Sequence, residues 1–236
     1  MKKAIFMIVI IMLIFSSIGI NVGQASSKGP KTICIDPGHQ GHQNLGKEPI
    51  APGSKIRKAK VSSGTMGVAT KKPEYKLTLE VALKLRDALK KKGYKVFMTR
   101  TKHTVNVSNV QRAQYCNQKR ADLTIRIHAD GSTNKNIQGL SVLYPTGKST
   151  KKVNQTSKKA AQFMLAESIK ATKAKKAYRT GLMPRKDLSG FNWSTTPVIL
   201  VEMGFMTNRS EDRKLSTSSY QKKLVQGMVN GVGRYF

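Results

Sequence analysis

Thr32-Ile33-Cys34-Ile35-Asp36-Pro37-Gly38-His39 is an apolar, β-rich run that stops at a turn and delivers a histidine. Ile33 and Ile35 are β-branched, Thr32 and Cys34 flank them, and the run reads as a short buried strand. Asp36-Pro37-Gly38 ends it with turn residues, leaving His39 at the strand's carboxyl end. In open α/β sheets that edge is where the loops converge and ligands bind.

Downstream, strands and helices alternate. Pro73-Glu74 opens a helix in which Leu77, Val81, Leu85 and Leu89 recur at helical spacing and Gly93 closes the end. Lys95 to Thr99 gives a second strand, and residues 108–120 a second helix. Asp122 to His128 is a third strand: Leu123, Ile125 and Ile127 are apolar while Thr124 and Arg126 are polar, so one buried face is expected, with His128 at the carboxyl end. Leu140 to Tyr144 is a further strand, followed by a helix from about Val153 to Thr172. Val198-Ile199-Leu200-Val201, apolar on both faces, marks a central strand that ends in Glu202. A helix from about Ser218 to Tyr235 carries Tyr220, Leu224, Met228 and Val232 on one face. Residues 40–72, rich in Gly, Pro, Ser and Lys, read as a long loop over the carboxyl edge, and residues 180–196, with the single tryptophan Trp193, read mostly as loop. The expected fold is a single α/β domain: a mostly parallel or mixed sheet of about six strands with helices on both faces.

Met1-Lys2-Lys3, an apolar run from Ala4 to about Ile20 and small residues at Gly23 and Ala25 have the layout of a secretory signal peptide over residues 1–25, cut after Ala25. An uncleaved anchor is the alternative, since the run approaches the roughly 17 to 20 residues that span a bilayer. The remainder, 26–236, suits one domain with a substantial core. With 43 Lys and Arg against 12 Asp and Glu, the formal net charge is +31. In an exported chain this points to a polyanionic surface as the partner. Nucleic acid is not expected, because Lys-rich runs such as 90–92 carry almost no interleaved aromatics. Stable membrane insertion after cleavage is not expected either, and the protein reads as a monomer. Cys34 and Cys116 could pair in an exported chain. Each also suits a small buried apolar residue, and the expectation is two buried free thiols.

Three strands thus end in His39, His128 and Glu202, and Glu74 stands at a helix entrance facing the same edge. Two histidines with one or two carboxylates are what a catalytic zinc site needs, three protein ligands leaving a fourth position for water.

Ile-Asp-Pro-Gly-His at 35–39, Glu74 ahead of Leu-Thr-Leu-Glu-Val-Ala-Leu-Lys-Leu, Thr99-Arg100, Arg112 to Asn117, Ala121-Asp122 through Ile127-His128-Ala129, and Val201-Glu202-Met203-Gly204-Phe205-Met206-Thr207-Asn208 together resemble the zinc-dependent N-acetylmuramoyl-L-alanine amidases. The resemblance spans nearly the whole mature chain. It implies that His39, Glu74 and His128 bind Zn2+, that Glu202 is the catalytic carboxylate, that the substrate is peptidoglycan, cut between N-acetylmuramic acid and L-alanine outside the cell, and that the polyanionic surface is one of anionic cell-wall polymers. The family commonly reads Ser-Ile-His-Ala-Asn where this chain has Arg126-Ile127-His128-Ala129-Asp130, and the segment after His39 is longer here.

Other candidates have plainer readings. His42 lies beyond the turn, in the loop, and His103 sits among Thr and Lys and should face solvent. Glu80 is four residues before Lys84, an i,i+4 surface pair. Glu211 and Asp212 suit the first turn of a helix, where acidic side chains oppose the dipole. Arg112 suits a buried ion pair better than a substrate contact. A zinc peptidase cutting within the stem peptide and a non-catalytic wall-binding module are the rival functions.

Overall fold

The computed structural model describes residues 29–236, so the signal-peptide reading lies outside the described residues. Eight strands, β1 (Thr32–Pro37), β2 (Asn44–Pro49), β3 (Arg57–Val61), β4 (Lys95–Met98), β5 (Leu123–Asp130), β6 (Ser141–Pro145), β7 (Leu182–Arg185) and β8 (Val198–Phe205), are interleaved with six helices. The helices are α1 (Glu74–Lys91), α2 (Asn109–Gln118), α3 (Asn154–Thr172), α4 (Ser189–Asn192), α5 (Arg209–Leu215) and α6 (Ser218–Tyr235). Six strands form one sheet in the order β4-β1-β5-β8-β6-β7, parallel except where β6 pairs with β8, and β2 pairs with β3 apart from it. No helix among the described residues is long and apolar enough to cross a membrane.

The period-2 alternation of the strands divides the core. Ile33, Ile35, Leu123, Ile125, Ile127, Ile199 and Val201 belong to the larger cluster, packed with α1, α3 and α6. Leu77, Val81, Leu85 and Leu89 form the buried stripe of α1, each fully buried and each contributing roughly 1.5 to 3 kcal/mol by leaving water. Gly93, at φ +85°, follows the last turn as the left-handed residue that ends the helix. Helix α6 lies very close to α3, since a Cβ on Gly227 would stand 2.6 Å from the Ser168 Cα.

The opposite face of the sheet is covered more thinly by α2 and α4. There Cys34 and Cys116 form a disulfide that ties β1 to α2, in place of the two free thiols expected. Their Cα atoms are 5.6 Å apart, a separation only the packing of a strand against a distant helix could create. This face also buries Thr124 and Arg126, so β5 is covered on both sides rather than one. Arg126 is tolerated because Asp36, its register partner on β1, neutralises it.

Two loop expectations are corrected. Within 40–72, β2 and β3 make an antiparallel hairpin, held against the start of α2 and the end of α4 by Asn109 Nδ2 donating to the Lys60 carbonyl and Trp193 Nε1 to that of Pro49. Its strand Arg57-Lys58-Ala59-Lys60-Val61 is too charged to show a buried face in sequence. Within 180–196, β7 is an edge strand, where Pro184 costs no ladder partner, and α4 is a single short helix.

Candidate metal centre

His39 follows the β1 turn with φ +58°, a strained conformation for a residue with a side chain. Thr78 Oγ1 on α1 and the Arg100 guanidinium both donate to the Gly38 carbonyl, fixing the turn against the helix entrance. A Cβ on Gly38 would run into the His128 ring, so only glycine lets the two histidine-bearing segments meet. The His39 and His128 rings stand edge to face with centroids 4.9 Å apart.

Glu74, the first residue of α1, lies between them. Its Oε2 is 3.1 Å from His39 Nε2 and its Oε1 is 3.1 Å from His128 Nδ1. The backbone amides of Thr65 and Ala129 donate to the same carboxylate. Burial opposes ionisation of Glu74, but the hydrogen bonds to His128 and His39 outweigh it and hold the carboxyl well below the usual range. Burial pushes the His128 imidazole down to about 4, leaving it neutral at pH 7.

These atoms fit a metal ion. One ligand atom from each of His39, Glu74 and His128 lies within 4.8 Å of the others. His39 Nδ1 is 2.9 Å from the Ser62 carbonyl, which can only accept, so that nitrogen carries the hydrogen. Nε2 then presents a lone pair to a carboxylate oxygen, an arrangement that requires a proton or a metal ion between them. Donor atoms around a tetrahedral zinc stand about 3.3 Å apart for bonds near 2.0 Å, close to the gaps seen here.

Glu202 lies beside this group. It is the register partner of His128 across β5 and β8, so both side chains leave the same face of the sheet. Its Oε2 is buried and has no hydrogen-bond partner among the described residues. Burial, with the charges of Glu74 and Asp130 adding to it, raises the Glu202 carboxyl well above its ordinary value. A cleft of about 220 Å³ opens over His39, His128 and Glu202.

The remaining candidates fall elsewhere. His42 and His103 are exposed, the latter edge-on to Tyr75. Glu80 pairs with Lys72 at 2.8 Å and with Gln221, not with Lys84, because α1 packs beside α6 and the segment before it folds back. Asp212 and Glu211 are buried rather than dipole partners in solvent. Asp212 accepts from the amides of Ala69 and Thr70, Glu211 from those of Gly139 and Phe205, and both pin loops to the start of α5. Arg112 makes the buried ion pair with Asp36, at 2.9 Å. The Asp36–Arg126 half of that network was missed. Its signal was an arginine inside an otherwise apolar strand, opposite an aspartate at the end of another.

Known proteins share this fold and much of this sequence. The family model described as N-acetylmuramoyl-L-alanine amidase matches residues 33–234. N-acetylmuramoyl-L-alanine amidase Rv3717 of Mycobacterium tuberculosis is 28% identical over 86% of this chain and 85% of its own length. The amidase AmiC of Escherichia coli O6:H1 is 26% identical over 91% of this chain, which spans only 55% of that longer protein. The crystal structure of the amidase Ami1 from Mycobacterium smegmatis superposes with a TM-score of 0.78 at 26% identity, covering 88% of this chain and 97% of that one. Because the family match runs over most of the chain, from residue 33 to residue 234, the chain belongs to the N-acetylmuramoyl-L-alanine amidase family.

Proposed function

We propose that this chain hydrolyses the amide between N-acetylmuramic acid and L-alanine in peptidoglycan, with Zn2+ held by His39, Glu74 and His128 and with Glu202 as general base. The observation that carries the reading is the ionised Glu74 carboxylate set 3.1 Å from a nitrogen of each histidine, with Glu202 on the adjoining strand. Zinc, when bound, supplies Lewis acidity that brings the pKa of water to about 7 and polarises a carbonyl. Glu202 takes the proton of the attacking water and returns it to the leaving nitrogen. A raised carboxyl pKa suits both halves of that task, since the group must bind a proton and then release it. Ser62 fixes the His39 tautomer through its carbonyl, and the amides of Thr65 and Ala129 orient Glu74.

The same reading places the protein outside the cell, at the wall. The Cys34–Cys116 disulfide suits an oxidising compartment, and the net charge of +31 suits a polyanionic surface. The test is incubation with purified peptidoglycan, with and without a chelator, followed by identification of the new ends. A free L-alanine amino terminus and an intact lactyl sugar, both lost with the chelator, are expected. New ends within the stem peptide would make the enzyme a peptidase instead.

A further inference from the structure

Arg126 and His128 are two residues apart on β5, so their side chains leave the same face about 7 Å apart. Arg126 is 5% exposed. Its Nε donates to Asp36 Oδ2 at 2.8 Å and its Nη2 to Asn109 Oδ1 at 2.7 Å. Nη1 has no hydrogen-bond partner among the described residues, although the guanidinium lines the same cleft as His39, His128 and Glu202. Gly190 of α4 crosses the guanidinium so closely that a Cβ there would displace it. The arginine is therefore built in, held on two sides with its Nη1 left to spare.

The cleft is also short of negative charge. Asp36 serves both Arg112 and Arg126. Asp187 serves both Arg185, at 2.7 Å, and Lys58, at 3.5 Å. Lys58, Arg126 and Arg185 thus face the cleft against Asp187 and Glu202.

Building on the amidase reading above, we infer that Arg126 binds a carboxylate on the peptide half of the substrate and so positions the scissile amide over the metal centre. The guanidinium lines the same cleft as His39, His128 and Glu202, so the carboxylate it takes lies close to the scissile amide, and the second residue of the stem is the position tested. A guanidinium is the group suited to a carboxylate there, through a charge-assisted hydrogen bond of fixed direction. The serine that the family commonly has at this position is too short to reach. Arg126 acts here as a positioning residue and takes no part in proton transfer.

The experiment uses the zinc-loaded chain and two soluble muramoyl peptides that differ only in a carboxylate or a carboxamide on the second residue. The wild type is expected to favour the carboxylate by roughly ten- to a hundredfold in kcat/KM, carried by KM, as loss of one charge-assisted hydrogen bond predicts. Arg126→Ser should raise KM for the carboxylate substrate alone and so erase the preference. Asp36 keeps Arg112 in that variant, which preserves a buried pair. A purely structural role would slow both substrates equally and would overturn the inference. Should Arg126→Ser fail to fold, Arg126→Lys keeps a charge against Asp36 but loses the planar fork that holds Asp36 and a second carboxylate in fixed directions: a lost preference supports the inference and an unchanged one overturns it. Equal wild-type rates on both peptides remove the carboxylate subsite and leave the amidase reading standing, whereas cleavage of neither removes both.

Discussion

Asp36 and Arg126 face each other across β1 and β5 as register partners, Oδ2 2.8 Å from Nε, and Arg112 reaches the same carboxylate from α2 at 2.9 Å. One buried anion therefore joins the strand that carries His128 to the turn that carries His39. Burial works against the charge on Asp36, but the two guanidiniums outweigh it and hold the carboxyl well below the usual carboxylate range.

Asp36→Asn should destabilise the protein by about 3 to 5 kcal/mol at pH 7, because it leaves two buried cations without an anion. A carboxyl whose pKa is depressed on folding contributes its stability in full above the unfolded value, about 3.9, and loses it as pH falls through the folded one. The gap in urea midpoint between wild type and variant should accordingly narrow below about pH 4. A gap that stays constant down to pH 2 would contradict the ion-pair account.

Zinc stoichiometry separates the two glutamates of α1. Glu74→Ala should lose the metal, whereas Glu80→Ala, whose partners are Lys72 and Gln221, should keep it and change stability by no more than about 1 kcal/mol. A zinc-free Glu80→Ala would displace the proposed centre.

Glu202→Gln keeps the shape of the side chain and removes the proton acceptor. The variant should bind zinc normally and lose turnover by roughly 10² to 10⁴, the contribution of general acid–base catalysis. His39→Ala and His128→Ala should instead lose both metal and activity. Near-normal turnover in a zinc-loaded Glu202→Gln would sink the base assignment, and a zinc-free Glu202→Gln would make it a ligand.

Removing the disulfide should be costly, because the bridge closes a sequence separation of 82 residues. Chain-entropy arithmetic for that loop gives about 4 to 5 kcal/mol, and Cys34→Ala/Cys116→Ala should show a correspondingly lower midpoint of urea unfolding. A reducing agent should lower the wild-type midpoint and leave that of the double variant unchanged.

Binding to intact walls should weaken as salt rises, since exposed charges are screened over about 8 Å at physiological ionic strength. Hydrolysis of small soluble fragments should respond far less. Wall binding that persists at high salt would point to a contact other than charge.

Local pattern was enough for the skeleton. Alternation in β1 and β5, the apolar run of β8 and the four-residue spacing of Leu77, Val81, Leu85 and Leu89 are short-range signals; they place His39 just after β1 and His128 and Glu202 in the carboxyl halves of β5 and β8, which run on past the expected ends to Asp130 and Phe205. The family likeness rests on the same segments. What tertiary structure alone decided is every feature that depends on two distant segments meeting. Cys34 pairs with Cys116 because α2 packs on β1, Lys84 turns to Gln221 because α1 lies beside α6, and Arg57 to Val61 forms a strand because β2 folds back to pair with it. The burial of Arg126 belongs with these. A charged side chain in a strand reads as solvent-facing until an anion 90 residues away in sequence is brought within 2.8 Å, and that encounter is set by strand register, which no local run of residues encodes.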